Sequence, residues 1–174
     1  MKTCCSSRSP PGRSRRSGPS CPTTPRKRVL ELTRGPRSAT TRPTPADVET
    51  VRRLYRAVAA RDFATAEACF APDAIWHLPG RSPIAGEHRG RQSIRDGVFA
   101  KLARLSGGTF RADLLDVAVG EHYLIALQHA TAGHRGRRLD VTACQLIRVE
   151  QGQIVEMHGH YSDQYALDDF WQPE

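Results

Sequence analysis

The chain has no apolar run near the roughly 18 residues that a membrane-spanning helix needs, so a bilayer span is not expected. Its first residues also lack the apolar stretch, about 7–15 residues long, of a secretory signal. None of its five cysteines (Cys4, Cys5, Cys21, Cys69, Cys144) pairs at the CxxC spacing typical of a zinc site. Without a secretion signal the thiols are expected to be reduced, in a cytoplasmic protein. Cys69 and Cys144 fall in apolar stretches, where cysteine acts as a small hydrophobe. No internal repeat is visible.

Acid is nearly missing from the first quarter of the chain. Residues 1–45 hold 11 Lys and Arg against the single acid Glu31, whereas residues 46–174 hold 15 basic and 17 acidic residues. The formal net charge of +8 therefore belongs to the N-terminal segment, and the remainder is slightly acidic. A nucleic-acid surface across the whole domain is not supported.

The 174 residues, 39% of them hydrophobic, suffice for one domain but not for a core that spans the entire chain. Residues 1–45 read as a disordered basic tail. The run Ser6 to Arg16 has no apolar period and cannot bury enough surface to offset its ordering entropy. Such a tail is a basic interaction arm, an Arg- and Ser-rich targeting peptide, or upstream sequence joined by a misplaced start. The last is preferred, because the folding signal begins sharply at Thr44-Pro45-Ala46-Asp47.

Residues 46–174 read as one domain. Val48, Val51, Leu54, Tyr55 and Val58 recur at helical spacing behind a cap at Thr44 or Asp47. A second short helix carries Phe63, Ala66, Cys69 and Phe70. Ala74–Leu78 reads as a strand closed by Pro79-Gly80, and a loop runs from Arg81 to Gly90. A third helix carries Ile94, Val98, Phe99, Leu102 and Leu105. Strands follow at Phe110–Val119, Tyr123–Ala132, Leu139–Val149 and Ile154–Tyr161, separated by polar turns. Helices segregated from strands indicate an α+β fold.

This order, with local motifs spread from Val48 to Trp171, resembles the nuclear transport factor 2-like superfamily and, within it, the SnoaL-like proteins. The motifs are Leu54-Tyr55-Arg56-Ala57 leaving helix one, Phe70-Ala71-Pro72-Asp73-Ala74-Ile75-Trp76 entering strand one, and Gly90-Arg91-Gln92-Ser93-Ile94 opening helix three. The last hairpin, Arg148 to Glu156, and the tail Asp163 to Trp171 complete the set. The resemblance implies a curved antiparallel or mixed sheet wrapped by about three N-terminal helices around a pocket. It does not imply one reaction, because this fold hosts enzymes, binding modules and assembly domains.

The resemblance also proposes site residues. Tyr55 matches a tyrosine of the related ketosteroid isomerases, but their two aspartates fall on or near Leu78 and on Cys144. Neither replaces a carboxyl group, so a true ketosteroid isomerase is not expected. Met157, Gly159 and Tyr161 fall on the pocket side of the last strand. Asp163, of the same parity, occupies the place of the SnoaL-like acid–base residue; its alternative is a turn or cap residue. His129, if its face is the pocket side, would assist Asp163; otherwise it is a core histidine. Trp76 reads as an aromatic wall or as core.

His158 and His160 share one strand face at a spacing that can chelate a metal. That face looks away from the pocket, and an exposed or dimer-facing pair is preferred, with no metal expected. Arg135, Arg137 and Arg138 read as a solvated hairpin tip.

The expected function is a small-molecule pocket of the SnoaL-like type, with a cofactor-independent lyase, isomerase or cyclase built on Asp163 and His129. Tyr55, Trp76, Cys144, Met157 and Tyr161 would bind the substrate. The alternative is a non-catalytic ligand-binding or dimerisation module. The expected partners are a small apolar or partly polar molecule and a second copy of the chain, with no membrane and no nucleic acid on the domain.

Overall fold

Thr44 starts the first helix with a capping box. Its Oγ1 accepts from the Asp47 amide, and the Asp47 carboxylate accepts from the Thr44 amide at 2.8 Å. Pro45 occupies the first helical turn, where a missing N–H costs nothing. The computed structural model describes residues 42–172. The expectation made for residues 1–45 therefore falls almost wholly outside the described residues.

Helix α1 (Pro45–Ala59) and the short α2 (Phe63–Ala68) lead into strand β1 (Phe70–Leu78). A four-residue strand, β2 (Gly86–Arg89), lies within the segment expected to be a loop. It is followed by α3 (Gly90–Ile94), which passes through a π-helical stretch at Arg95–Phe99 into α4 (Ala100–Leu105). Then come β3 (Arg111–Val119), β4 (Leu124–His134), β5 (Arg137–Glu150), β6 (Gln153–Tyr161) and a closing helix α5 (Gln164–Trp171). The strands form one six-stranded sheet in the order β2-β1-β6-β5-β4-β3. All neighbours are antiparallel except β1 and β6, which run parallel with Trp76 beside Met157 and His77 beside His158.

Alternation sets the two faces of this sheet. On β4, Leu124, Ala126, Gln128 and Ala130 are buried, and on β5 Leu139, Val141, Ala143, Gln145 and Ile147 are buried. The helices cover that inner face. Val51, Leu54 and Tyr55 come from α1, Val98, Phe99 and Leu102 from the third helical segment, and Leu167, Phe170 and Trp171 from α5. Phe70, Trp76 and Phe99 form an aromatic cluster with ring centroids 5.7–6.2 Å apart.

Helix α5 is tied down in its middle and at its C-terminal end. Asp168 Oδ1 accepts from the amides of Arg81 and Ser82 at 2.9 and 3.1 Å. Gly80 makes this approach possible: its φ is +103°, and a Cβ there would lie 2.2 Å from that same oxygen. At the C-terminal end, Arg137 donates to the carbonyls of Asp169 and Gln172 at 3.3 and 2.9 Å. Arg137 is thus a helix-terminating residue as well as part of a hairpin tip. Among the described residues no helix is long and apolar enough to cross a membrane.

Candidate functional site

Between the inner sheet face and the helices lies a cavity of about 50 Å³, measured as the space open to the centre of a water molecule. Leu54 and Tyr55 of α1, Trp76 and Leu78 of β1, and Leu167 and Trp171 of α5 contribute to its wall. Gln128, Gln145, Met157 and Tyr161 line it from the sheet. No charged side chain and no histidine belongs to that wall.

The polar groups in this apolar wall are few, and some are unsatisfied. The Tyr55 hydroxyl donates to Gln128 Oε1, joining α1 to β4. Gln145 sits beside Tyr161 over Gly159, where a Cβ would come within 3.2 Å of the Tyr161 hydroxyl and 3.3 Å of Gln145 Oε1. A glycine at that position leaves room for both groups. Burial pushes the hydroxyls of Tyr55 and Tyr161 above the usual phenol range, and for Tyr161 a hydrogen bond with the Gln145 side chain opposes the rise. Both phenols are therefore neutral donors near pH 7. Trp76 Nε1, Trp171 Nε1 and Gln145 Oε1 are buried and find no hydrogen-bond partner among the described residues. Buried polar groups are rarely left unpaired, since each costs about 1–3 kcal/mol.

The structure brings together four of the residues expected from the sequence, namely Tyr55, Trp76, Met157 and Tyr161. It separates the other three from them. Asp163 is exposed and caps α5, its Oδ1 accepting from the Ala166 amide at 2.9 Å. Strand alternation does not carry past Tyr161, so its shared parity with Met157 has no geometric consequence. His129 lies on the outer sheet face, where its Nε2 meets Asp140 Oδ1 at 2.7 Å; the inward positions of β4 are Ala126, Gln128 and Ala130. Cys144 has outward parity between the buried Ala143 and Gln145. Among the cavity residues with polar side-chain atoms, those that the sequence reading did not place there are Gln128, Gln145 and Trp171. The signal for the glutamines was a polar residue alternating with small apolar ones, in Ala126-x-Gln128-x-Ala130 and Ala143-x-Gln145-x-Ile147.

A second cluster occupies the outer face. His77, Glu156 and His158 each offer a ligand atom, all within 4.8 Å of one another. His158 Nε2 is 3.0 Å from Glu156 Oε1, and Arg148 Nε is 3.1 Å from Glu156 Oε2. His158 is therefore partnered by His77 and Glu156 and is buried, whereas the sequence suggested an exposed or dimer-facing pair with His160. Hydrogen bonding from His158 and the Arg148 charge hold the Glu156 carboxyl below the usual carboxylate range.

The SnoaL-like domain model matches residues 51–157. An uncharacterized protein of Mycobacterium tuberculosis (strain ATCC 25618 / H37Rv) is 32% identical over 127 residues, 72% of this chain and 96% of the relative. Among solved structures, Bal32a from a soil-derived mobile gene cassette is 39% identical, with a TM-score of 0.69 over 73% of this chain and 97% of that one. TerC, co-crystallized with polyporic acid, matches with a TM-score of 0.65 over 72% of this chain and 97% of that one; at 16% identity it shares the fold.

Proposed function

The chain belongs to the SnoaL-like domain family and has its nuclear transport factor 2-like fold, and from that footing we propose that the cavity under α1 and α5 binds a small neutral molecule. One observation carries the reading. Trp76 Nε1, Trp171 Nε1 and Gln145 Oε1 are buried with no partner among the described residues, and all three residues line the same apolar cavity. A ligand with one hydrogen-bond acceptor and one donor would satisfy the indole N–H groups and the amide oxygen together. Its body would be apolar, because the rest of the wall is. It would also be uncharged, because an unpaired ion in this wall would have no counter-charge. A space of about 50 Å³ holds about four waters at about 10–15 Å³ each, so a ring-sized ligand enters only as the surrounding side chains move apart. That TerC was co-crystallized with polyporic acid supports small-molecule binding by this fold.

Binding without catalysis is the favoured form of this function. Asp163 and His129, the residues expected to perform acid–base chemistry, lie outside the wall, and the two phenols within it stay protonated near neutral pH. The outer face of β4 and β5 supports a homodimer: Ile125 and Leu127 are 38% and 37% exposed, opposite Leu146 and Cys144.

The chain has two tryptophans, and both line the cavity. Their emission therefore reports occupancy directly. Titration with 4-hydroxyacetophenone, a single ring with one acceptor and one donor, should quench emission saturably, beyond the loss seen with N-acetyltryptophanamide. In Gln145→Met the quenching should weaken about tenfold or more, as for a ligand group left unpaired. Quenching equal in the free indole and the protein would overturn the proposal.

A further inference from the structure

On the opposite face of the sheet, away from the cavity, the geometry points to a divalent-metal site formed by His77, Glu156 and His158. The parallel register of β1 and β6 sets His77 directly beside His158. Strand alternation puts Glu156, two residues earlier on β6, on the same face. Two adjacent strands inside the sheet thus fix the backbone of all three residues. The side chains of Glu156 and His158 are 11% exposed and that of His77 is 29% exposed, so the cluster is sheltered yet reachable from solvent.

Two imidazole nitrogens and a carboxylate oxygen suit a borderline first-row ion such as zinc, nickel or cobalt. With metal–ligand bonds of about 2.0–2.2 Å, two tetrahedral ligands of one ion lie about 3.3–3.6 Å apart. The 3.0 Å between His158 Nε2 and Glu156 Oε1 is close to that range, and a tilt of the His77 ring brings in the third donor. Three protein ligands leave a position open for water or another donor.

The surroundings resemble an outer coordination shell. Arg148 holds Glu156 Oε2 and also bonds Glu150, leaving Oε1 on the His158 side. Glu87 Oε2 lies 3.5 Å from His77 Nδ1, the carboxylate–histidine contact that orients a ligating ring. Around the site three carboxylates (Glu87, Glu150, Glu156) face two guanidiniums (Arg89, Arg148), so the local charge before metal uptake favours a cation.

The test is calorimetric titration of the metal-stripped full chain with zinc chloride and, separately, nickel chloride. Cys4, Cys5 and Cys21 are competing ligands, so the same titration is run on the variant with all three changed to serine. Both proteins should take up one ion per chain. Affinity should fall about 10–100-fold or more in His77→Gln and His158→Gln and stay unchanged in His160→Gln. His77 is the more exposed ligand, so His77→Gln with a wild-type circular dichroism spectrum serves if His158→Gln fails to fold. No uptake, uptake that vanishes with the three cysteines, or uptake indifferent to His77→Gln would each overturn the assignment.

Discussion

His77 and His158 stack face to face on the outer side of the sheet, their ring centroids 4.3 Å apart and their planes 5° from parallel. Their neighbours in the chain, Trp76 and Met157, pair in the same register but point the other way and line the cavity. One strand junction therefore supplies residues to two chemically different sites, an apolar cavity on one face and a polar cluster on the other.

The unsatisfied oxygen of Gln145 is a weak point of the fold. Gln145→Met keeps the side chain's shape and removes a buried acceptor worth about 1–3 kcal/mol of desolvation, against the loss of one hydrogen bond of about 1 kcal/mol. Denaturant unfolding should show the ligand-free variant about 1 kcal/mol more stable than wild type. A destabilised Gln145→Met would mean that the amide is already satisfied.

Asp163 caps α5, so its effect is expected on the helix and not on the ligand. Asp163→Ala should cost about 1 kcal/mol of stability, the usual loss for a helix N-cap. Tryptophan quenching by 4-hydroxyacetophenone should be unchanged. Loss of ligand binding in a variant that remains folded would return Asp163 to the site.

Alkaline pH should weaken the fold through the buried phenols. The pKa values of Tyr55 and Tyr161 are raised by burial, so the folded chain keeps these protons where the unfolded chain releases them. Their contribution is complete below the unfolded value near about pH 10 and is lost as pH rises past it. Unfolding midpoints should fall above about pH 10, and less steeply in Tyr161→Phe. Equal slopes in the two proteins would contradict this.

The outer face gives a prediction about assembly. Light scattering at tens of micromolar should report a dimer, whose interface should bury more than roughly 1,000 Å² in total. Leu127→Glu, which puts a charge in the middle of the exposed apolar face, should shift the mass to the monomer while circular dichroism stays the same.

The first helices and strands β3 to β6 were legible because their apolar spacing is strong and their turns are rich in glycine, whereas β1 was read only from Ala74 to Leu78, with Phe70 placed on the preceding helix, and α5 was not among the helices read. The facing of β4 was not legible. Ile125 and Leu127 make its outer side as apolar as an inner one, so alternation could not decide, and the facing of His129 stayed open between pocket and core. The buried side instead alternates small residues with glutamine. β2 was hidden because it is short and polar, with only His88 buried among its residues. Glu156 and His158 were visible as neighbours on one strand. Nothing local in the sequence could bring His77 to them, because that contact depends on a parallel pairing between distant segments.

That pairing also has a consequence in time. β1 is among the first parts of the domain to be made and β6 among the last, and nearly the whole domain separates them along the chain. Hairpin contacts among β3, β4, β5 and β6 can form locally, whereas closing β1 onto β6 carries the entropy of a long loop and is slow on that account. During synthesis, Trp76 must wait for Met157 and Trp171, and His77 for His158. Cavity and cluster therefore come into existence in the same late event, and any damage to the β1–β6 junction should remove both at once, leaving the hairpins behind.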